Sequence, residues 1–276
     1  MSNFLRFASL ALAAALGCQS AAARVEGSAS LTGIAFELVD LTPDDGIAPT
    51  LEWQYNNPLA RVDTMVRVNL DDTGFHFEAK NAFSTFSNTV DLANGHAHGE
   101  VSPTHALSEG WVESPYAPGV PHNSEFLATA NPAEWQDFRL SPGTELKVSA
   151  YGSLSAAVTS PMDPDSRLEE SARAWAILGL VLGTTEVVDS KEIRLSNQEG
   201  PTSQGFDGWL HASISNQTDQ WALGLAFVGT NTGGTSDIVA IPVPEPSTFA
   251  LSLFGLAVLG FAVCRKRRLG REGRLN

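Results

Sequence analysis

Apolar residues recur at every second position along most of this chain, a spacing that puts one row of side chains into a core and the other toward water, as strands do. Ile34, Phe36 and Leu38 alternate with Ala35 and Glu37, and Leu51, Trp53 and Tyr55 with Glu52 and Gln54. Val62, Thr64, Val66, Val68 and Leu70 form a longer row, and Phe75 and Phe77 flank His76. Further rows are Leu146-Val148-Ala150, Leu154-Ala156-Val158, Leu210-Ala212-Ile214 and Trp221-Leu223-Leu225-Phe227. Turn clusters separate them, among them Pro43-Asp44-Asp45-Gly46, Asp71-Asp72-Thr73-Gly74 and Ser141-Pro142-Gly143. Ser171 to Leu182 fits both a helix and a strand. Its row Ala174, Ala176, Leu178, Leu180 and Leu182 reads as a central strand buried on both faces from Trp175 onward. Short connections between so many strands predict an all-β fold, an antiparallel β-sandwich of jelly-roll-like type. Glu100 to Asp137 shows no period, contains five prolines and reads as one long irregular segment holding Trp111, Tyr116, His122 and Trp135.

The ends of the chain follow different rules. Arg6 is the only charge before position 24, an apolar stretch runs from Phe7 to Leu16, and Ala21-Ala22-Ala23 supplies small residues for cleavage. This is the three-part pattern of a signal peptide over 1–23, against the alternatives of a buried helix or a lipoprotein cysteine at Cys18. At the other end Pro242-Val243-Pro244-Glu245-Pro246 opens a segment in which Phe249 to Val263 carries no charge, followed by Arg265, Lys266, Arg267 and Arg268. Ser247 to Cys264 makes a helix of about 27 Å, enough for one transmembrane span. The basic cluster would stay cytoplasmic, leaving the bulk of the chain outside. A plain C-terminal anchor has the same outline.

Pro244-Glu245-Pro246, the short apolar helix and the basic cluster together resemble the PEP-CTERM sorting signal of Gram-negative bacteria. The resemblance implies an exosortase as partner, cleavage near Pro-Glu-Pro, and a transient membrane anchor that gives way to a cell-surface or extracellular location. It also implies a link to exopolysaccharide and biofilm. Leu38 to Pro49 and Phe138 to Thr144 are similar to segments of other PEP-CTERM proteins to which no activity is attached. The expected organisation is a leader over 1–23, a β-sandwich ectodomain over 24–240 and a sorting signal over 241–276.

Composition narrows what the ectodomain can do. Both cysteines, Cys18 and Cys264, lie in the sorting segments, so the ectodomain has no disulfide and no thiolate nucleophile. Residues 24–264 carry ten cationic and thirty acidic side chains, about −20, which disfavours nucleic acid and anionic lipid. No Gly-x-Ser-x-Gly elbow, His-Glu-x-x-His helix or phosphate-binding glycine loop is present, and no catalytic residue is assigned. His96, His98 and His105 with Glu100 have the chemistry of a zinc site, but a solvated polar loop is the simpler account, and no cofactor or metal is assigned. The acidic turns at Asp40, Asp44 and Asp45, at Asp71 and Asp72, and at Asp163 and Asp165 leave calcium possible, although Asp is also an ordinary turn residue. Asn216-Gln217-Thr218 fits the glycosylation acceptor pattern. The six tryptophans read by default as core, except Trp111 and Trp135, which with Tyr116 are the candidate ligand contacts. The favoured function is a non-enzymatic surface or matrix protein. A carbohydrate-binding module and a secreted hydrolase are the alternatives.

Overall fold

The alternation becomes strand almost throughout. The computed structural model describes residues 23–54, 60–68, 72–114, 122–159, 169–199 and 202–238. The expected leader apart from Ala23, the whole sorting signal with its apolar segment, and Tyr116, Asp71, Asp163 and Asp165 lie outside the described residues. The strands are β1 (Ala23–Asp40), β2 (Leu51–Trp53), β3 (Ala60–Val68), β4 (Asp72–Lys80), β5 (Phe86–Leu92), β6 (Gly95–Ser102) and β7 (His105–Ser114). They continue as β8 (His122–Leu140), β9 (Thr144–Val158), β10 (Glu169–Leu182), β11 (Thr185–Ser196), β12 (Thr202–Asn216) and β13 (Ala222–Ile238). One turn of 3-10 helix at Asn197–Glu199 is the only helix among the described residues. No described helix is long and apolar enough to cross a membrane.

Two antiparallel sheets enclose the core. One runs β12-β9-β1-β7-β6-β5, the other β11-β10-β13-β8-β3-β4 with β2 beside β8. Many connections pass from one sheet to the other, as in a jelly roll, while β5-β6-β7 is a meander within one sheet. The inner faces interlock large against small. The Phe126 ring fills the space a side chain on Gly110 would need, and Val62 and Val66 do the same at Gly99 and Gly95. Gly33, at φ 65, sits in the β1 bulge where the register against β9 shifts between Thr32 and Ala35, a conformation that strongly favours glycine.

The segment read as irregular, Glu100 to Asp137, is the end of β6, all of β7 and most of β8. Its period is hidden because small or polar side chains fill inward positions. Ala106, Ser108, Gly110 and Ser114 face the core from β7, and Ser124, Ala128 and Ala130 from β8. Two other rows face the wrong way for the expected core. Phe75 is 65% and Phe77 51% exposed, and Leu223 is 70% exposed, while Gly224, Ala226 and Val228 point inward in its place. A one-residue slip of phase exchanges the two faces of a strand. The row Ala174, Ala176, Leu178 and Leu180 is fully buried as a strand, as its spacing predicts, with Trp175 and Ile177 half-buried on the other side.

None of the tryptophans belongs to the fully buried core. Trp53 is partly buried against it, and Trp135, Trp209 and Trp221 are exposed. The acceptor pattern at Asn216 is also structural. Asn216 is 1% exposed, and its amide nitrogen donates to the carbonyls of Leu140, Ser141 and Gln220, so the residue closes the turn before β13.

Candidate functional site

Outward-facing residues of the six-stranded sheet form the transverse row Ser203, Ala157, Glu26, Trp111, His96 and Asp91, set by the registers of β12, β9, β1, β7, β6 and β5. The next row is Gly205, Ser155, Ser28, Glu109, His98 and Thr89. Small side chains on β12, β9 and β1 sit beside larger ones on β7 and β6, and the difference in height leaves a groove of about 690 Å³. Ser28, Ser155 and Ser203 line it together with Trp111, Glu26 and Glu109. Hydroxyls, carboxylates and one indole converge on this open groove.

The polar groups in this wall are held in place. The Arg24 guanidinium lies 4.7 Å from the centre of the Trp111 ring and covers one indole face. The same guanidinium bonds Glu26 at 3.1 Å and Glu113 at 3.3 Å. Arg24 is thereby neutralised, and the groove presents carboxylates without an unpaired cation. Nδ1 of His96 lies 2.6 Å from Oδ1 of Asp91, and His96 stacks on His98 with ring centres 6.4 Å apart. Nδ1 of His98 lies 2.8 Å from Oγ1 of Thr89. Among the described residues, no group of three or more His, Cys, Asp or Glu is placed to hold a metal ion. His105 faces Ser102 three rows away from His96.

The acidic turns have local work to do. Asp45 accepts from the Thr42 hydroxyl at 2.6 Å and from the Ile47 N–H at 2.7 Å, and these bonds hold its carboxyl below the usual range. Asp40 accepts from the Thr42 N–H at 2.9 Å.

Of the three ring contacts expected from sequence, Trp111 lines the groove and Tyr116 lies outside the described residues. Trp135 is on the outer face of the other sheet, so the structure separates the pair that the sequence grouped. Glu26, Ser28, Glu109 and Ser155 were not singled out, since isolated polar positions in alternating strands carry no signal until the register aligns them.

On the outer face of the seven-stranded sheet Asp63 is only 6% exposed, bonded to Nε of Arg61 at 2.6 Å, with that guanidinium lying over Phe77 at 5.3 Å. Burial raises its carboxyl above 3.8, and Arg61 only partly offsets this. A carboxyl whose folded pKa is raised binds its proton more tightly when folded, so folding is favoured below that value and loses stability as pH rises through it. The melting temperature of Asp63→Asn relative to the parent is therefore expected to increase as pH rises from 3.8 through the raised value. Thermal melts of both proteins across that range check this, and a pH-independent difference would show that Asp63 ionises at no cost.

Residues 242–268 match the family model of the PEP-CTERM protein-sorting motif. The match takes in Pro244-Glu245-Pro246, the apolar segment and Arg265 to Arg268. No curated protein matches the chain. A motif of this kind at residues 242–268 makes the chain a PEP-CTERM domain-containing protein, exported and carrying a C-terminal signal for exosortase-dependent sorting to the cell surface.

Proposed function

We propose that the sandwich binds an extracellular polysaccharide in the groove beside Trp111, and that the exported protein is a non-enzymatic component of a biofilm-type matrix. The observation that carries this reading is the placement of Trp111 in a groove paved by serines and flanked by Glu26 and Glu109. An indole covers the apolar face of a sugar ring, and hydroxyls and carboxylates bond its hydroxyl groups. The ligand class is a neutral or amino-bearing glycan. An anionic polymer would meet the two groove carboxylates and the strongly acidic surface. The sorting signal supports the same context, since the resemblance links it to exopolysaccharide producers.

Affinity electrophoresis in the host's own polysaccharide tests the reading. The parent protein is expected to be retarded, and Trp111→Ala to lose at least about tenfold in affinity, as a buried aromatic anchor does. Trp111→Phe should retain part of the binding. Parallel runs with calcium and with a chelator show whether the acidic turns contribute. A folded parent that migrates identically with and without polysaccharide refutes the binding site, and release of new reducing ends from the polymer would reassign the protein as a hydrolase.

A further inference from the structure

The outer face of the seven-stranded sheet carries a second set of rings and amides, on the opposite side of the sandwich from the groove. Trp135 is held out by a bulge in β8. Its φ is 55, and the register against β13 shifts between Ala226 and Val228 and again before Thr230. A non-glycine residue in that region is costly and persists only where its surroundings hold it. Here the indole rests on Phe227 with ring centres 4.7 Å apart, and remains 51% exposed. Phe227 in turn lies flat against the sheet, because a side chain on Gly179 would sit 1.9 Å from its ring. The Asn131 amide occupies the corresponding space over Gly229. Four residues along β10 from Gly179, about 13 Å, Trp175 lies next to Asn231 in the register. The Asn231 amide donates to the Thr129 hydroxyl at 2.8 Å. Two indoles are thus spaced along one face with side-chain amides between them.

Three arginines of this face are each held by a carboxylate, and Asp237 stands beside Glu169 and Glu125, so that burial and the two neighbouring carboxylates raise its carboxyl. Arg61 bonds Asp63 at 2.6 Å, Arg67 bonds Glu125 at 3.0 Å, and Arg173 bonds Glu192 at 2.5 Å. A face of rings and amides whose arginines are held by carboxylates, with a surplus of acid at Glu125, Glu169 and Asp237, suits an uncharged partner rich in hydroxyls and repels an anionic polymer. The outward faces of two stacked sheets point in opposite directions.

We infer that the sandwich is bivalent, with a second glycan platform at Trp135 and Trp175, so that one molecule joins two polysaccharide strands. This rests on the reading of the Trp111 groove as a glycan site. Bivalent capture adds avidity without a new contact and turns a binder into a cross-linker.

The experiment immobilises the host polysaccharide, loads the protein, washes, and measures capture of the same polysaccharide carrying a soluble fluorescent label. The parent is expected to bind the surface and capture labelled polymer. Trp111→Ala and the double variant Trp135→Gly/Trp175→Ala should each still bind polysaccharide in solution while bridging falls at least tenfold. Glycine accepts the positive φ at 135, which avoids backbone strain there, and a cooperative thermal melt well above the assay temperature separates loss of bridging from loss of the fold. Combining all three substitutions should abolish binding.

A parent that captures no polysaccharide at all overturns the groove reading and this proposal with it. A parent that binds the surface without bridging overturns only the second platform, as does undiminished bridging by Trp135→Gly/Trp175→Ala. Sedimentation of the parent separates the remaining case. A dimer that this variant dissociates would assign the face to a second copy of the chain and overturn the proposal.

Discussion

Phe138→Ala is expected to destabilise the sandwich by about 3–5 kcal/mol, a large share of the about 5–15 kcal/mol that holds a domain together. Phe138 is fully buried at the end of the core where β2, β8 and β13 meet. Its ring fills the space over Gly224, where a side-chain carbon would lie 2.3 Å away, and meets Trp53 edge-on with centres 6.1 Å apart. Trp53 passes the contact to Phe36 and Phe83, each with ring centres 5.1 Å from its own. Removing the Phe138 ring therefore opens a cavity and also takes the support from beneath this aromatic cluster. Gly224→Ala is the converse change: its methyl would meet both the Phe138 ring and, at 2.5 Å, the Val181 carbonyl oxygen, and should cost at least about 1–3 kcal/mol by overpacking. The two should not add. Removing the ring relieves its clash with a methyl at 224 and leaves the one with the Val181 carbonyl, so the double variant Phe138→Ala/Gly224→Ala is expected to be more stable than the sum predicts by about 0.5–3 kcal/mol, yet less stable than Phe138→Ala alone. Denaturant unfolding of the four proteins closes the cycle, and simple additivity would show that the ring and the glycine are not packed as described.

The same pair shows where the sequence was legible and where it was not. Alternation alone identified β3, β9, β10 and the second half of β12, because Val, Ile, Leu and Ala occupy the inward positions there. It gave the wrong phase for β13, where Leu223 and Phe227, with Trp221 just before the strand, are the conspicuous apolar residues yet lie on the outer side, and Gly224 lies inward to admit Phe138. It failed in β7 and β8 for the same reason: a glycine or serine opposite a large ring is a well-packed inward position that reads as a turn or a loop. Packing between sheets depends on which residue faces which across the core, and no local pattern contains that. The candidate site was legible to the extent of one ring, Trp111. The groove around it depends on β1, β7 and β9 lying side by side, which aligns Glu26, Ser28, Glu109 and Ser155 although they stand far apart in the chain. The sorting motif, by contrast, is contiguous and was read in full from sequence.

The exported protein is expected to end at or near Pro244-Glu245-Pro246, with the uncharged segment and basic cluster removed. The physical case begins with the cluster. Each Arg or Lys costs about 2.5–3.5 kcal/mol at the centre of a membrane-spanning helix, so Arg265, Lys266, Arg267 and Arg268 are expected to resist passage and stop translocation. The preceding Ser247 to Cys264 is only just long enough for the hydrocarbon core, about 27 Å against about 30 Å. A span of that length would put Pro244-Glu245-Pro246 at the outer interface. Proline lacks a backbone N–H and disfavours helix in the residue before it, so Pro244 and Pro246 oppose extension of any helix formed by the apolar segment. Intact-mass analysis should find a single C-terminus at this site in the protein recovered outside the cell. Pro244→Ala, Glu245→Ala and Pro246→Ala combined leave the apolar segment and its cations unchanged, yet should convert most of the population to an uncut form in the inner membrane. Replacing Arg265, Lys266, Arg267 and Arg268 by Gln should act differently, weakening the stop itself and giving uncut chains that are not held in one orientation. Full-length parent protein in the inner membrane of a strain with an active exosortase, unchanged by the triple substitution, would show that the segment is an anchor alone.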